Sequence, residues 1–160
     1  MSQPRLLTDL AGVLDPAGIV WWLSDGAALG CVREGRFLPS DADVDVGIWA
    51  ADRPAVVRLL AGWEPHPNAL DPAWLRYGVK LDLHDHHADG GTVWFGLGAG
   101  RYRYRFTRFG FERHRFCGLD VRVPSPADQY LTEHYGPDWR TPRAGWRWDQ
   151  SPPCLEVADG

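Results

Sequence analysis

Residues 39–48, Pro39-Ser40-Asp41-Ala42-Asp43-Val44-Asp45-Val46-Gly47-Ile48, alternate acidic and apolar positions with a period of two. That period predicts a β-strand, with Ala42, Val44, Val46 and Ile48 on a core face and Asp41, Asp43 and Asp45 on the other. Successive carboxylates on one face would stand ~7 Å apart, given a rise of about 3.3 Å per residue. Two unit charges ~4 Å apart repel by about 1 kcal/mol in water and about 4 kcal/mol at a protein surface. The apolar face pins the strand, so the acidic face cannot turn away. A like-charge cluster held in this way calls for a cation, and its all-oxygen donors suit Mg²⁺ or Mn²⁺.

Outward from this strand, Leu6, Leu7, Leu10, Val13 and Leu14 recur at helical spacing and predict a helix over 4–14. Residues 19–23 read as a buried strand and Ser24-Asp25-Gly26 as a turn. A short helix over 27–34 then closes at Gly35. Asp52 and Pro54 predict a helix start, with the stop at Gly62. Residues 76–84 read as a strand that carries Lys80, Asp82 and His84 on one face, so a second strand delivers a fourth carboxylate. Further strands are expected over 92–97, 101–106 and 117–123. A last helix begins at Ser125 and Pro126, with Asp128 completing a capping box, and ends at Gly136. Residues 137–160 read as a mostly irregular tail of a single domain spanning 1–160. This order predicts an α+β fold with a mixed β-sheet flanked by helices.

With 160 residues, the chain has length for one core. No apolar run approaches the ~20 residues that would span a bilayer, and no transmembrane segment is expected. No N-terminal pattern reads as a secretory signal, and the three cysteines, Cys31, Cys117 and Cys154, show no paired spacing. Free thiols in a reducing, cytoplasmic compartment are the expectation. The net charge of −4 gives no global attraction to nucleic acid, which is not expected as a partner.

The stretch LSDGAALGCVREGRFLPSDADVDVGI, residues 23–48, resembles the LicD family, which includes fukutin and fukutin-related protein. That family reads Gly-Thr-Leu-Leu-Gly-x-x-Arg-x-Gly-x-(Ile/Phe)-(Ile/Leu)-Pro-Trp-Asp-x-Asp-(Ile/Val)-Asp at the same spacing. A second segment is similar as well: FCGLDVRVP at 116–124, then Tyr130-Leu131 and Tyr135-Gly136 with Trp139. The resemblance implies a DNA polymerase beta-like nucleotidyltransferase fold. It also implies transfer of a phospho-alcohol from a CDP-linked donor to a sugar or other hydroxyl acceptor. It singles out Asp43 and Asp45 as ligands of Mg²⁺ (or Mn²⁺), with Asp82 as third carboxylate and candidate base. On the same terms Ser24 and Gly26 would approach the donor phosphates, Arg33 and Lys80 would contact them, and Asp41 would lie in the outer shell of the metal or serve the acceptor side; His84, at a polar strand end beside the site, is a candidate donor to phosphate. The sequence departs from the family at Asp25, where many relatives have glycine, at Ser40, in place of tryptophan, and at Ala42.

The departures at Asp25 and Ser40 motivate a second reading, a non-catalytic nucleotide-binding or regulatory protein. A third is an antitoxin-like minimal nucleotidyltransferase that modifies a protein or RNA. Within His84-Asp85-His86-His87, only His84 and His86 share a face and could chelate together. The alternation of arginine with Tyr102, Tyr104 and Phe106 suits an aromatic core face with a solvated face, or a nucleotide-binding edge. Trp139, Trp146 and Trp148 read as packing anchors for the tail, and Cys31 as a small buried residue.

Overall fold

Leu6, Leu7, Leu10 and Leu14 line one side of the first helix, α1 (Ser2–Leu14), and are fully buried. The computed structural model describes residues 2–67, 69–150 and 152–159. After α1 come β1 (Trp21–Leu23), α2 (Asp25–Glu34), β2 (Val44–Trp49) and α3 (Arg53–Leu59), then β3 (Glu64–Pro65), β4 (Ala73–Arg76) and β5 (Val79–Asp89). The chain continues through β6 (Thr92–Leu97), β7 (Tyr102–Thr107), β8 (Gly110–Phe116), β9 (Leu119–Ser125), α4 (Ala127–Tyr135) and β10 (Leu155–Val157).

The principal sheet has eight strands in the order β1-β2-β5-β6-β7-β10, with β4 joined to β5 and β3 to β4. Among the described residues only β2 and β5 run parallel; β1 on β2, β4 on β5 and the β5-β6-β7-β10 series are antiparallel. β8 and β9 form a separate hairpin. This is the mixed-sheet α+β architecture expected. β5 organises it, because its first half pairs with β2 and β4 while its second half pairs with β6.

Several elements differ from the sequence reading, each for a local reason. The acidic strand starts at Val44, so Asp41 and Asp43 lie in the loop before it and only Asp45 is on the strand. Ala42 is exposed, whereas Val44, Val46 and Ile48 are fully buried, so the core face of the strand begins two residues later than its pattern. The strand expected over 76–84 is two strands, because Tyr77 and Gly78 both take positive φ (55° and 72°) and turn the chain back on itself. A second such turn, at Cys117 (53°) and Gly118 (78°), joins β8 to β9 and takes Cys117 out of the strand expected for it. Asp52 makes no side-chain cap to α3; a 3-10 turn, Ala50–Asp52, leads into that helix instead. The capping box at Ser125 and Asp128 does not form either. Glu112 Oε1 accepts the Ala127 N–H at 2.8 Å, and Asp128 accepts the Trp139 indole N–H at 3.0 Å. The tail returns to the sheet as β10 on β7. No helix among the described residues is long and apolar enough to cross a membrane.

Candidate active site

Parallel pairing of β2 with β5 sets Asp45 directly beside Asp82. Side chains at paired positions of adjacent strands share a face, which brings two carboxylates 37 residues apart in sequence onto one surface. The preceding loop adds Asp41 and Asp43. Gln3, near the start of α1, fixes that loop by donating its amide N–H groups to the carbonyls of Asp41 and Asp43, each at 2.9 Å. Asp41 Oδ1 in turn accepts the Asp43 N–H at 3.3 Å. All four aspartates line a cleft of about 960 Å³.

The start of α2 closes one side of the cleft. A Cβ on Gly26 would lie 2.0 Å from Asp41 Oδ2 and 3.7 Å from Asp45 Oδ2, so glycine is what lets the helix start approach these oxygens. Asp25 precedes it with φ 45°, in the left-handed region that aspartate tolerates better than most residues. The positive φ is a backbone reason for glycine at this position, and Asp25 meets it while adding a carboxylate. Asp25 Oδ2 faces His84 Nε2 at 3.0 Å, and its Oδ1 accepts from His134 Nε2 at 2.6 Å. His84 Nε2 is also 3.1 Å from Asp45 Oδ1. The Asp25 N–H donates to the Tyr130 hydroxyl at 3.0 Å.

Burial dominates the electrostatics. It pushes the Asp45 carboxyl up to about 7 and the Asp41 carboxyl up to about 6. Burial, and then the neighbouring Asp82, raises Asp43 as well. Asp25 is the exception: burial acts against its charge, but His84 and His134 outweigh it and hold the carboxyl well below the usual range. At His84 burial likewise opposes the charged ring, yet Asp25 and Asp45 carry its pKa well above the ordinary value. Desolvated carboxylates with raised pKa values are anions short of positive charge, which fits a bound cation with oxygen ligands.

Asp41 offers a direct check. Its ionised form is disfavoured in the folded protein relative to the unfolded chain, so the penalty is absent below about pH 4 and complete above about pH 6. Asp41→Asn in metal-free protein should therefore gain about 1–2 kcal/mol at pH 7.5 and nothing at pH 4. Urea unfolding at the two pH values measures this; equal effects at both would contradict it.

The other expected site residues divide. Lys80 lines the cleft with its ammonium 3.0 Å from Asp82 Oδ2. Arg33 also lines it, but its guanidinium is engaged by the Glu34 carboxylate at 3.0 Å and the Trp139 carbonyl at 3.1 Å. Ser24 is fully buried behind the cleft, with its hydroxyl unpartnered. The donor atoms that converge within 4.8 Å are those of Asp25, Asp45 and His84, a different trio from Asp43, Asp45 and Asp82. His86 does not join His84; its ring packs against Trp22 at 4.9 Å, and burial lowers its pKa to about 3.

Tyr104 and Phe106 form a buried face of β7, while Arg103 stacks over Trp94 and Arg105 pairs with Glu156. The cleft's arginines are instead Arg33, Arg53, Arg143 and Arg147. Trp139 is buried, Trp146 packs on Tyr135 and Trp148 on Tyr102, so all three tryptophans anchor the tail across the cleft. Cys31 is buried, and burial pushes its thiol up to about 12. Sequence reasoning missed Gln3, Tyr130 and His134. The available signal was the spacing of Tyr130, Leu131 and His134 along α4, which puts His134 on the helix's buried side.

Carboxylates on adjacent parallel strands beneath a glycine-bearing helix start sit in a fold shared with solved nucleotidyltransferases. The solved structure of the lincosamide antibiotic adenylyltransferase LnuA shares the fold, with a TM-score of 0.59 at 16% identity over 85% of this chain and 94% of that one. The family described as LicD/FKTN/FKRP, nucleotidyltransferase domain, matches residues 18–87. Human ribitol-5-phosphate transferase FKTN is 29% identical over 97% of this chain, and human ribitol 5-phosphate transferase FKRP is 46% identical over 27% of it. The chain spans 37% of the length of FKTN and 9% of that of FKRP. Residues 18–87 are thus similar to the LicD/FKTN/FKRP nucleotidyltransferase domain, the family that the motif at 23–48 resembles.

Proposed function

We propose that this protein is a Mg²⁺-dependent transferase. It moves a phospho-alcohol or nucleotidyl group from a nucleotide-linked donor, CDP-linked by family, to the hydroxyl of a sugar or similar acceptor. The observation that carries this reading is the in-register pair Asp45–Asp82 beside Asp43 at one cleft. Relatives named ribitol-5-phosphate transferases support the phospho-alcohol form. The three cysteines are free thiols, in keeping with a cytoplasmic setting.

Asp43, Asp45 and Asp82 would hold the ion, whose charge offsets that of the donor phosphates and of the transition state. Lys80 and the cleft arginines add positive charge around the donor. Asp82, braced by Lys80, takes the proton of the acceptor hydroxyl as that oxygen bonds to phosphorus. The phosphoanhydride bond breaks and its electron pair leaves with the nucleoside monophosphate in phospho-alcohol transfer, or with the alcohol phosphate in nucleotidyl transfer. Asp41 and Gly26 shape the cleft beside Asp45.

A thermal-shift panel of nucleotides with and without Mg²⁺ tests the proposal, because a ligand stabilises in proportion to its binding. Stabilisation by CDP compounds that needs the metal is expected. Equal shifts without metal, or nucleotide binding with no product from any hydroxyl acceptor, would favour the non-catalytic reading. Labelled transfer onto a macromolecule would favour the antitoxin-like one.

A further inference from the structure

We infer that Asp25, His84 and His134 form a positioning network that holds the Asp45 carboxylate by one oxygen and frees the other for the cation. This rests on the metal reading above but assigns roles to residues that the reading does not use. His84 lies 7% exposed on β5, with Nε2 between Asp25 Oδ2 and Asp45 Oδ1 at 3.0 and 3.1 Å. Its ring stacks on Phe95, centroids 4.6 Å apart, so packing fixes its plane. Asp25 holds His84 from the other side and is itself held by His134 at 2.6 Å and by the Tyr130 hydroxyl on its N–H. His134 stacks on Tyr135 at 4.2 Å.

The chain of contacts runs from α4 through the start of α2 and β5 to β2, joining elements 109 residues apart in sequence. Asp45 Oδ2 is left on the Gly26 side, where the space a Cβ would take is filled by Asp41 Oδ2, so a second carboxylate oxygen faces it. A ligand carboxylate whose second oxygen is fixed by a hydrogen-bonded neighbour is preorganised, and removing such a neighbour typically weakens metal binding by 10–100-fold. With Nε2 at 3.0 and 3.1 Å from two carboxylates, His84 serves Asp45 and leaves the cation to oxygen.

Calorimetry with Mn²⁺ and pulsed EPR of the Mn²⁺-loaded full chain test this. Wild type should bind Mn²⁺ with no directly coordinated nitrogen in the spectrum. His84→Ala should weaken binding about 10-fold or more, and His84→Gln, which keeps an N–H donor, should restore most of it. His134→Phe should weaken binding about threefold or more, with recovery in His134→Gln. A coordinated ¹⁴N signal in wild type, lost in His84→Gln, would overturn the inference by making His84 a ligand. Undiminished Mn²⁺ affinity in folded His84→Ala would overturn it too. Should His84→Ala fail to fold, the wild-type spectrum and the His134 pair decide. A wild-type chain that binds no Mn²⁺ sinks the proposed function, whereas tight wild-type binding with indifferent histidine variants sinks the network alone.

Discussion

Asp45→Asn is expected to lower transfer by about a thousandfold or more. Asp45 is the carboxylate on which the site converges: it sits on the strand itself, in register with Asp82, and touches His84. On the proposed role of Asp45, losing one anionic ligand removes several kcal/mol of charge stabilisation at the reacting phosphate, and each 1.36 kcal/mol is tenfold in rate. Stability should move the other way. Burial holds the Asp45 carboxyl up at about 7, so its ionised form costs the apo fold stability above that pH and costs nothing below about pH 4. The asparagine variant should therefore melt at or above wild type at pH 8 while losing activity and Mn²⁺ affinity together. Transfer assays and thermal melts at pH 8 provide the measurement. Activity within tenfold of wild type would remove Asp45 from the catalytic centre.

The strand that carries Asp45 was the most legible part of the chain, because Val44, Val46 and Ile48 are buried as their alternation requires. Its limits were less legible. Asp41 and Asp43 continue the same alternation, yet their backbone is pinned by Gln3 from 38 and 40 residues away rather than by a neighbouring strand. Asp82 was readable as a partner because Leu81 and Leu83 flank it in a strand pattern, and the register of β2 on β5 then sets it beside Asp45. The turn at Tyr77 and Gly78 was hidden, since tyrosine gives no sign of a left-handed backbone. The role of α4 was hidden more deeply. Its local pattern foretold a helix, but the helix start is capped by Glu112 from β8, and His134 reaches Asp25 across the fold. Local patterns specify elements; the contacts that complete this site depend on which elements meet.

Gly47→Val is expected to destabilise the protein by about 3 kcal/mol or more, from a residue two positions beyond Asp45 on the same strand face. A Cβ there would lie 2.2 Å from Trp22 Nε1 and 2.3 Å from Trp22 Cε2, far inside contact distance. Trp22 cannot simply swing away. It is fully buried and packed against Trp49, His86 and Phe111, with ring centroids 4.9–5.0 Å apart. Overpacking a core of that kind costs about 1–3 kcal/mol for each added group, and valine adds a branched one. For a domain of this size about 3 kcal/mol corresponds to a melting-temperature loss of about 6–12 °C. If the clash is with the indole, Trp22→Phe should recover part of the loss in the Gly47→Val background although it destabilises wild type. A double-mutant cycle by urea unfolding reads that coupling, and strict additivity would refute it. Along β2, then, one strand face changes character within two residues: open to the cleft at Asp45 and sealed by an indole at Gly47. That closure holds β2 against β1 and β5 and so keeps the Asp45 carboxylate at the height where Asp82 and His84 meet it.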